Sequence, residues 1–339
     1  MAGGGDTPDL VAAVSEAGAL GFIGAAYLTP EQMASTVAAV RAKTKRPFGI
    51  NLFAPQAKAE PGNAKAMLQR LAPYFAELGA PMPTKAPAPT DRFDEQLAAT
   101  LESGTSCVSF TFGLLPPAAV AAIKAKNVFL IGTATTVEEA LQLEKSGVDA
   151  VVTQGSEAGG HRGTFLVDFA QGMVGNISLV PQIVDAVRIP VIASGGIMDG
   201  RGIVAALALG AQAVQMGTAF LTCNEAGIPD AYKEAILKAH EDQTRITRAF
   251  SGRPARGIVN RFMTEIEQEP QKETIPPFPI QNSLTRPLRT AAAKQGRAEF
   301  LSLWSGQGMR LARRQSAGDL IALLKREMDQ TLAGLNQLP

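Results

Sequence analysis

One unit recurs along this chain and limits its fold more than any other feature: a helical pattern, a small residue followed by glycine, then a short apolar run. It reads EAGALGFIGA at 16–25, ESGTSCVSFT at 102–111, KSGVDAVVTQ at 145–154 and ALGAQAVQMG at 208–217. The glycine suits the left-handed residue that ends a helix, and an unbroken apolar run suits a strand buried on both faces. FGINLF (48–53), VFLIGTA (128–134) and IPVIASGG (189–196) are further runs of this kind. Helical patterns lie between them, over 8–17, 29–42, 136–145 and 200–209; Thr7 and Thr29 stand as caps, each followed by a proline at the first helical position. Strands alternating with helices predict a parallel sheet whose faces are covered by helices.

The runs amount to seven strands, and the pattern begins with a helix. A TIM (β/α)8 barrel has eight strands and begins with one. The expected fold is therefore an α/β TIM barrel whose first strand is missing from the N-terminus, with Met1 standing at that strand's end. An open sheet that never had an eighth strand is the alternative. Two stretches fall outside the repeat. Residues 54–101 form an insertion whose PMPTKAPAPT patch (81–90) reads as a loop, and residues 223–315 hold helical segments and a proline-rich IPPFPIQN turn (275–282). The expected organisation is a barrel domain over 1–222, a smaller helical domain on the substrate side over 223–315, and a helix over 316–339 returning to the barrel. Leu320, Leu323, Leu324 and Met328 form the apolar face of that last helix.

Composition excludes several functions. A net charge of +1 argues against nucleic acid or an anionic membrane as partner. Two cysteines, Cys107 and Cys223, make neither a disulfide framework nor a zinc site, and no metal site is expected. No secretory signal pattern opens the chain and no apolar run approaches the roughly 20 residues of a membrane span, so a cytoplasmic protein is expected.

In barrels of this kind ligands sit at the C-terminal ends of the strands, and a phosphate often sits after strands seven and eight. ASGGI (193–197) and QMGT (215–218) fall at those ends, where glycine amides present N–H groups to an anion without obstruction. Tight turns are the plainer reading of the same residues. Asn51 and Gln154 end two other strands, and their amide side chains suit the edge of a heterocycle such as a flavin. QGSEAGGHRG (154–163) follows Gln154 on the same rim, which places His161 beside a phosphorylated heterocyclic cofactor as a proton-handling group. Glu157 is a base or a holder of the glycine loop, Arg162 a carboxylate ligand or a solvated side chain. Cys107 reads as core, Trp304 as packing, and His240 as a solvated helix face. There is no HExxH, P-loop lysine, GxSxG elbow or GxGxxG fingerprint.

QGSEAGGHRG, ASGGIMDGRG, VQMGTAFL and GINLF, with QNSLTRPLR and LWSGQG, together resemble the nitronate monooxygenase family, formerly 2-nitropropane dioxygenase, and its class I group in particular. The barrel motifs are shared with related FMN proteins, whereas QNSLT and WSGQG point to the nitronate group. The resemblance implies an FMN-containing TIM barrel with a smaller helical domain over the flavin. Matched motif by motif, it implies that Asn51, Gln154, Gly159 and Gly196 contact FMN, that Gln215, Met216, Gly217 and Thr218 cradle its phosphate, and that His161 is the catalytic acid/base or substrate-orienting residue. It further implies oxidation of alkyl nitronates such as propionate 3-nitronate by O2 to a carbonyl compound and nitrite, a detoxification, by a monomer or homodimer. Thr111 in SFTFG (109–113) departs from the family, which often carries a histidine there. The competing expectations are an FMN-dependent NAD(P)H reductase acting on an enoyl thioester or quinone, and a barrel that binds flavin without turnover.

Overall fold

In a computed structural model describing residues 3–56, 60, 62–84, 92–268 and 274–337, the apolar runs become strands close to the boundaries their sequence predicts. Those of the main sheet are β1 (Gly21–Gly24), β2 (Phe48–Phe53), β3 (Cys107–Thr111), β4 (Phe129–Ala134), β5 (Ala150–Gln154), β7 (Val191–Ser194) and β8 (Ala213–Gln215). All seven run parallel in the order β1-β2-β3-β4-β5-β7-β8. Each of the six crossovers carries at least one helix, and the sheet curls into a TIM-type half-barrel. Ile50, Val108, Leu130 and Val151, from four adjacent strands, are all fully buried in its core. This is why the runs are apolar throughout and do not alternate.

The helix starts follow the expected chemistry. Thr7 caps Pro8–Glu16 by accepting from the Leu10 amide, Thr29 forms a reciprocal capping box with Gln32, and Thr136 and Asp199 cap Val137–Ser146 and Gly200–Ala208. No eighth barrel strand occurs among the described residues, and β1 and β8 are the sheet's two edges. Ala213 and Gln215 on β8 are exposed as a result. The outer layer nevertheless continues past the opening: Leu10 of the first helix shares a buried cluster with Leu320 and Leu324 of Ala317–Leu335 and Ile203 of Gly200–Ala208.

A second buried cluster lies apart from the barrel core. Phe250, Phe262, Leu284, Leu288 and Phe300 supply its centre, and Met67, Leu71 and Phe75 of Ala64–Glu77 join them. The 54–101 insertion is thus divided: Ala64–Glu77 packs with the later residues, while Phe93 and Leu97 of Phe93–Glu102 pack into the barrel core. Residues 85–91 lie outside the described residues, so the loop expected over 81–90 is described only to 84, where it is neither helix nor strand.

The expectation of a smaller helical region over 223–315 left out one feature. A ribbon of β9 (Thr244–Thr247) and β10 (Ala255–Ile258) pairs antiparallel, and β10 extends onto β6 (Gly160–His161), with Ala255 opposite His161. TRIT and ARGI are short and interrupted by arginine, so no periodicity announces them. The ribbon matters because it carries the later region directly onto the histidine.

Candidate active site

The loop after β5 is held from beneath by a buried arginine. Arg162 is 1% exposed, and its guanidinium donates to three main-chain carbonyls: Gly155 at 2.7 Å, Gln154 at 3.0 Å and Gly172 at 2.9 Å. Of the two roles expected for Arg162, a carboxylate ligand or a solvated side chain, the structure gives neither. It is the buttress of the glycine loop. Burial pulls its pKa down to about 10, still charged at neutral pH. Gln154 clips the same loop from above, donating to the His161 carbonyl at 3.0 Å and accepting from the Gly163 amide at 2.8 Å. Glu157 takes the second of its two expected roles, accepting from the Asn176 amide at 2.9 Å. Glu139, fully buried, accepts from Thr135, Phe165 and Leu166 and fixes the chain that follows.

His161 emerges from this scaffold half-buried. Its Nε2 lies 2.9 Å from Ser251 Oγ, and that hydroxyl donates onward to the Arg253 carbonyl at 3.1 Å. With its one proton so used, Ser251 accepts from Nε2–H, and the network assigns the tautomer in which Nδ1 keeps its lone pair. Three aromatic rings face the imidazole: Trp304 at 5.5 Å, Phe112 at 5.8 Å and Phe278 at 6.0 Å between centroids. Phe53 and Tyr27 extend the wall. Arg253 lies over the Phe112 ring, 3.8 Å from its centroid. Burial first, then the charges of Arg253 and Arg289, push the His161 pKa from 6.5 down to about 3. The imidazole is therefore neutral throughout the physiological range.

That shift fixes a pH dependence of stability. Between pH 6.5 and 3 the unfolded chain binds a proton at His161 and the folded one does not, so stability falls as pH drops below about 6.5. His161→Gln should remove this loss, which is at most ~2 kcal/mol between pH 6.5 and 5. Thermal melts of both proteins at pH 7.5 and 5.0 would measure it; equal acid sensitivity would mean the imidazole is not held neutral.

The glycine turns fit an anionic group. Gly195 and Gly196 have φ of 115° and 71°, a conformation that L side chains rarely adopt. Among the described hydrogen bonds, none is donated by the amides of Gly196, Gly217 or Thr218. Asn51 donates to Ser109 Oγ at 2.8 Å and keeps its own carbonyl oxygen available. Gly159 serves a different close approach: a Cβ there would stand 2.5 Å from the Gly306 amide nitrogen. The 305–308 segment closes over the loop at that point, with Gly306 N donating to Thr218 Oγ1 at 3.0 Å and Gln307 N to the Glu157 carbonyl at 2.9 Å. Gln215 is exposed and Met216 packs against the cluster of Leu10, Ile203 and Leu320. A cleft of about 340 Å³ opens beside Gly195, Gly196 and Gly308, but His161 does not line it. Thr111 leaves no room for a larger residue at 163: a Cβ on Gly163 would stand 3.1 Å from its Oγ1. Cys107 and Cys223 are buried, their thiols pushed up to about 12; His240 is exposed as expected, but it lies beyond the end of the helix Asp230–Lys238 and not on a helix face.

Sequence reading missed Ser251, Arg253, Phe278 and Arg289, and took Trp304 for packing alone. Residues 1–327 match the family model described as nitronate monooxygenase. The chain belongs to the nitronate monooxygenase family. A probable nitronate monooxygenase of Staphylococcus aureus (strain Newman) is 45% identical over 331 residues, covering 97% of this chain and 93% of the relative. Its counterpart in Staphylococcus saprophyticus is 42% identical with the same coverage. A solved nitroalkane oxidase from Streptomyces ansochromogenes superposes with a TM-score of 0.91 at 42% identity, covering 99% of this chain and 95% of that one. FabK from Thermotoga maritima gives 0.77 at 30% identity, with 99% and 93% coverage. Family membership makes this protein an oxidoreductase. No helix among the described residues is long and apolar enough to cross a membrane, and no cluster among them could hold a metal ion.

Proposed function

We propose that this protein oxidises alkyl nitronates with O2, giving a carbonyl compound and nitrite, on a bound FMN. The carrying observation is the setting of His161: an imidazole among three aromatic rings, with the guanidinium of Arg253 over one of them and Arg289 adding a second positive field. Such a setting favours an anion. It is poorly set to pull a proton from a neutral nitroalkane, because an imidazole with a pKa near 3 is a weak base. A nitronate arrives already ionised, so the histidine needs only to orient it, and a bound anion raises the imidazole's proton affinity. FMN, when bound, supplies the electron transfer between nitronate and O2. The free amides of Gly196, Gly217 and Thr218 are the groups to hold its phosphate, with Asn51 at the heterocycle edge. Gln154 contributes by fixing the loop, Gly159 by admitting the 305–308 segment, and Gln215 and Met216 by carrying the chain into the phosphate turn. The aromatic wall excludes water.

The likeness to FabK supports a second reading, NAD(P)H-dependent reduction on the same scaffold. An anaerobic visible spectrum separates the two. Flavin that is reduced by propionate 3-nitronate and ignores NADH is the expected result. Reduction by NADH with no response to the nitronate would make the protein a reductase, and a protein that stays colourless with added FMN would be neither.

A further inference from the structure

QNSLT (281–285) opens the helix Ile280–Lys294, and its leucine packs into the second buried cluster with Leu288. Two of its polar side chains, Gln281 and Thr285, are fully buried and spend themselves on main-chain oxygens. Gln281 Nε2 donates to the Ala249 carbonyl at 2.6 Å, and the Thr285 hydroxyl donates to the Phe250 carbonyl. Four residues apart, the two side chains lie on one face of the helix and reach one segment. That segment is the turn between β9 and β10, where the strand ladder does not extend to take up these carbonyls.

A peptide unit is planar, so a held carbonyl fixes the direction of the residue that follows it. Gln281 and Thr285 hold the two successive units that lead into Ser251. Two further contacts close the turn. The Gly252 amide donates to the Arg248 carbonyl at 2.8 Å, and Gly252, at φ 82°, presses so close to the 276–278 segment that a Cβ would stand 2.6 Å from the Pro277 carbonyl carbon. The Phe250 ring is pinned separately, stacked on Phe262 at 4.8 Å between centroids. The turn so held presents one hydroxyl to the imidazole. Ser251 Oγ accepts from His161 Nε2 at 2.9 Å and from the Arg253 amide at 3.3 Å, and donates to the Arg253 carbonyl at 3.1 Å. Buried polar side chains bonded to carbonyls are commonly no more than satisfied core groups. These two differ in their place, since each carbonyl they hold belongs to a peptide unit just before the imidazole's partner. We propose that Gln281 and Thr285 are positioning residues for His161, holding Ser251 where it keeps the proton on Nε2 and leaves the lone pair on Nδ1. The Ile280–Lys294 helix thus sets the histidine's tautomer through the turn, and the consequence for turnover rests on the proposed nitronate oxidation.

Nitrogen NMR of the histidine rings reads this without any turnover, because the chain has only two histidines and His240→Gln assigns the pair. In the wild-type holoenzyme at neutral pH, His161 should show one protonated and one bare ring nitrogen, the fixed Nε2–H form. Thr285→Val keeps the shape and removes the hydroxyl, and should move both nitrogens toward the average of the two tautomers. Thr285→Ser should restore them. With propionate 3-nitronate, Thr285→Val should lower kcat about fivefold and leave KM within about twofold. In a Ser251→Ala background the same substitution should cost less than about twofold, because its effect passes through that hydroxyl. An equal loss in both backgrounds, or an unmoved nitrogen spectrum, would make Thr285 a prop of the fold alone and overturn the inference. Gln281→Met, read in the same way, decides the matter should Thr285→Val not fold. A wild type that turns over no nitronate sinks the functional reading, while the nitrogen spectra still judge the positioning.

Discussion

His161→Ala is expected to keep the fold and the bound flavin and to lose between about 10²- and 10⁴-fold in turnover of nitronates, the range for a positioned proton-handling side chain. The reasons lie in what surrounds it. The main chain at His161 is held independently of the imidazole, because Gln154 binds the residue's carbonyl and β10 pairs with its main chain. Alanine preserves those bonds. What disappears is the ring between Trp304, Phe112 and Phe278 and the Nδ1 lone pair that the Ser251 hydrogen bond secures. Ser251→Ala should then cost less, about tenfold, since the ring stays but its tautomer is no longer fixed. Stopped-flow kinetics at saturating nitronate, with flavin content measured on the same samples, would give both numbers. Turnover of His161→Ala within a factor of three of the wild type would remove the residue from the mechanism.

The two charges beside this histidine change what the site can be asked to do. With Arg253 and Arg289 both cationic and the imidazole neutral, the surroundings of His161 favour anions before any substrate arrives. A general base raised toward neutrality would need the opposite surroundings, a nearby carboxylate. Among the described residues His161 has none acting on it. On the proposed function, such surroundings favour selecting the ionised form of a nitro compound over creating it.

The barrel was legible because its strands are buried on both faces. FGINLF is β2 residue for residue, and the glycine before four of the seven runs, in the left-handed region each time, marked the helix end. His161 was legible for the same reason: a histidine among glycines at a strand end is conspicuous. Its partners were not. Ser251 lies 90 residues further along the chain and Arg289 128, in segments whose local pattern says only irregular loop and amphipathic helix. They reach the site because the second core docks the ribbon and the Ile280–Lys294 helix onto the rim, and no spacing encodes that contact. Gln154 shows the converse. Its position at the rim was predicted, but an amide has the same hydrogen-bonding groups for a loop as for a heterocycle, and here the loop uses both.

Arg162 is the residue that sequence statistics misplace most, because arginine is almost never fully buried without a partner. Its partners are main-chain oxygens. Arg162→Met should therefore destabilise the protein by about 3 kcal/mol, the balance of three charge-assisted hydrogen bonds lost against one buried charge removed. A fall in Tm of roughly 5 °C or more follows from that figure for a chain of this size. Function should suffer further than stability. Arg162 also joins the loop to the ribbon, accepting through its carbonyl from Arg253 Nε at 3.2 Å and donating through its amide to the Pro254 carbonyl at 2.8 Å. Those main-chain bonds keep their direction only while the guanidinium holds 154, 155 and 172 in place. Arg162→Lys should rescue little, because one ammonium cannot reproduce a planar fork between three carbonyls. Calorimetry and flavin content on both variants would test this: a methionine variant that melts with the wild type and keeps its flavin would show that the loop holds its own shape, and that the arginine is merely tolerated beneath it.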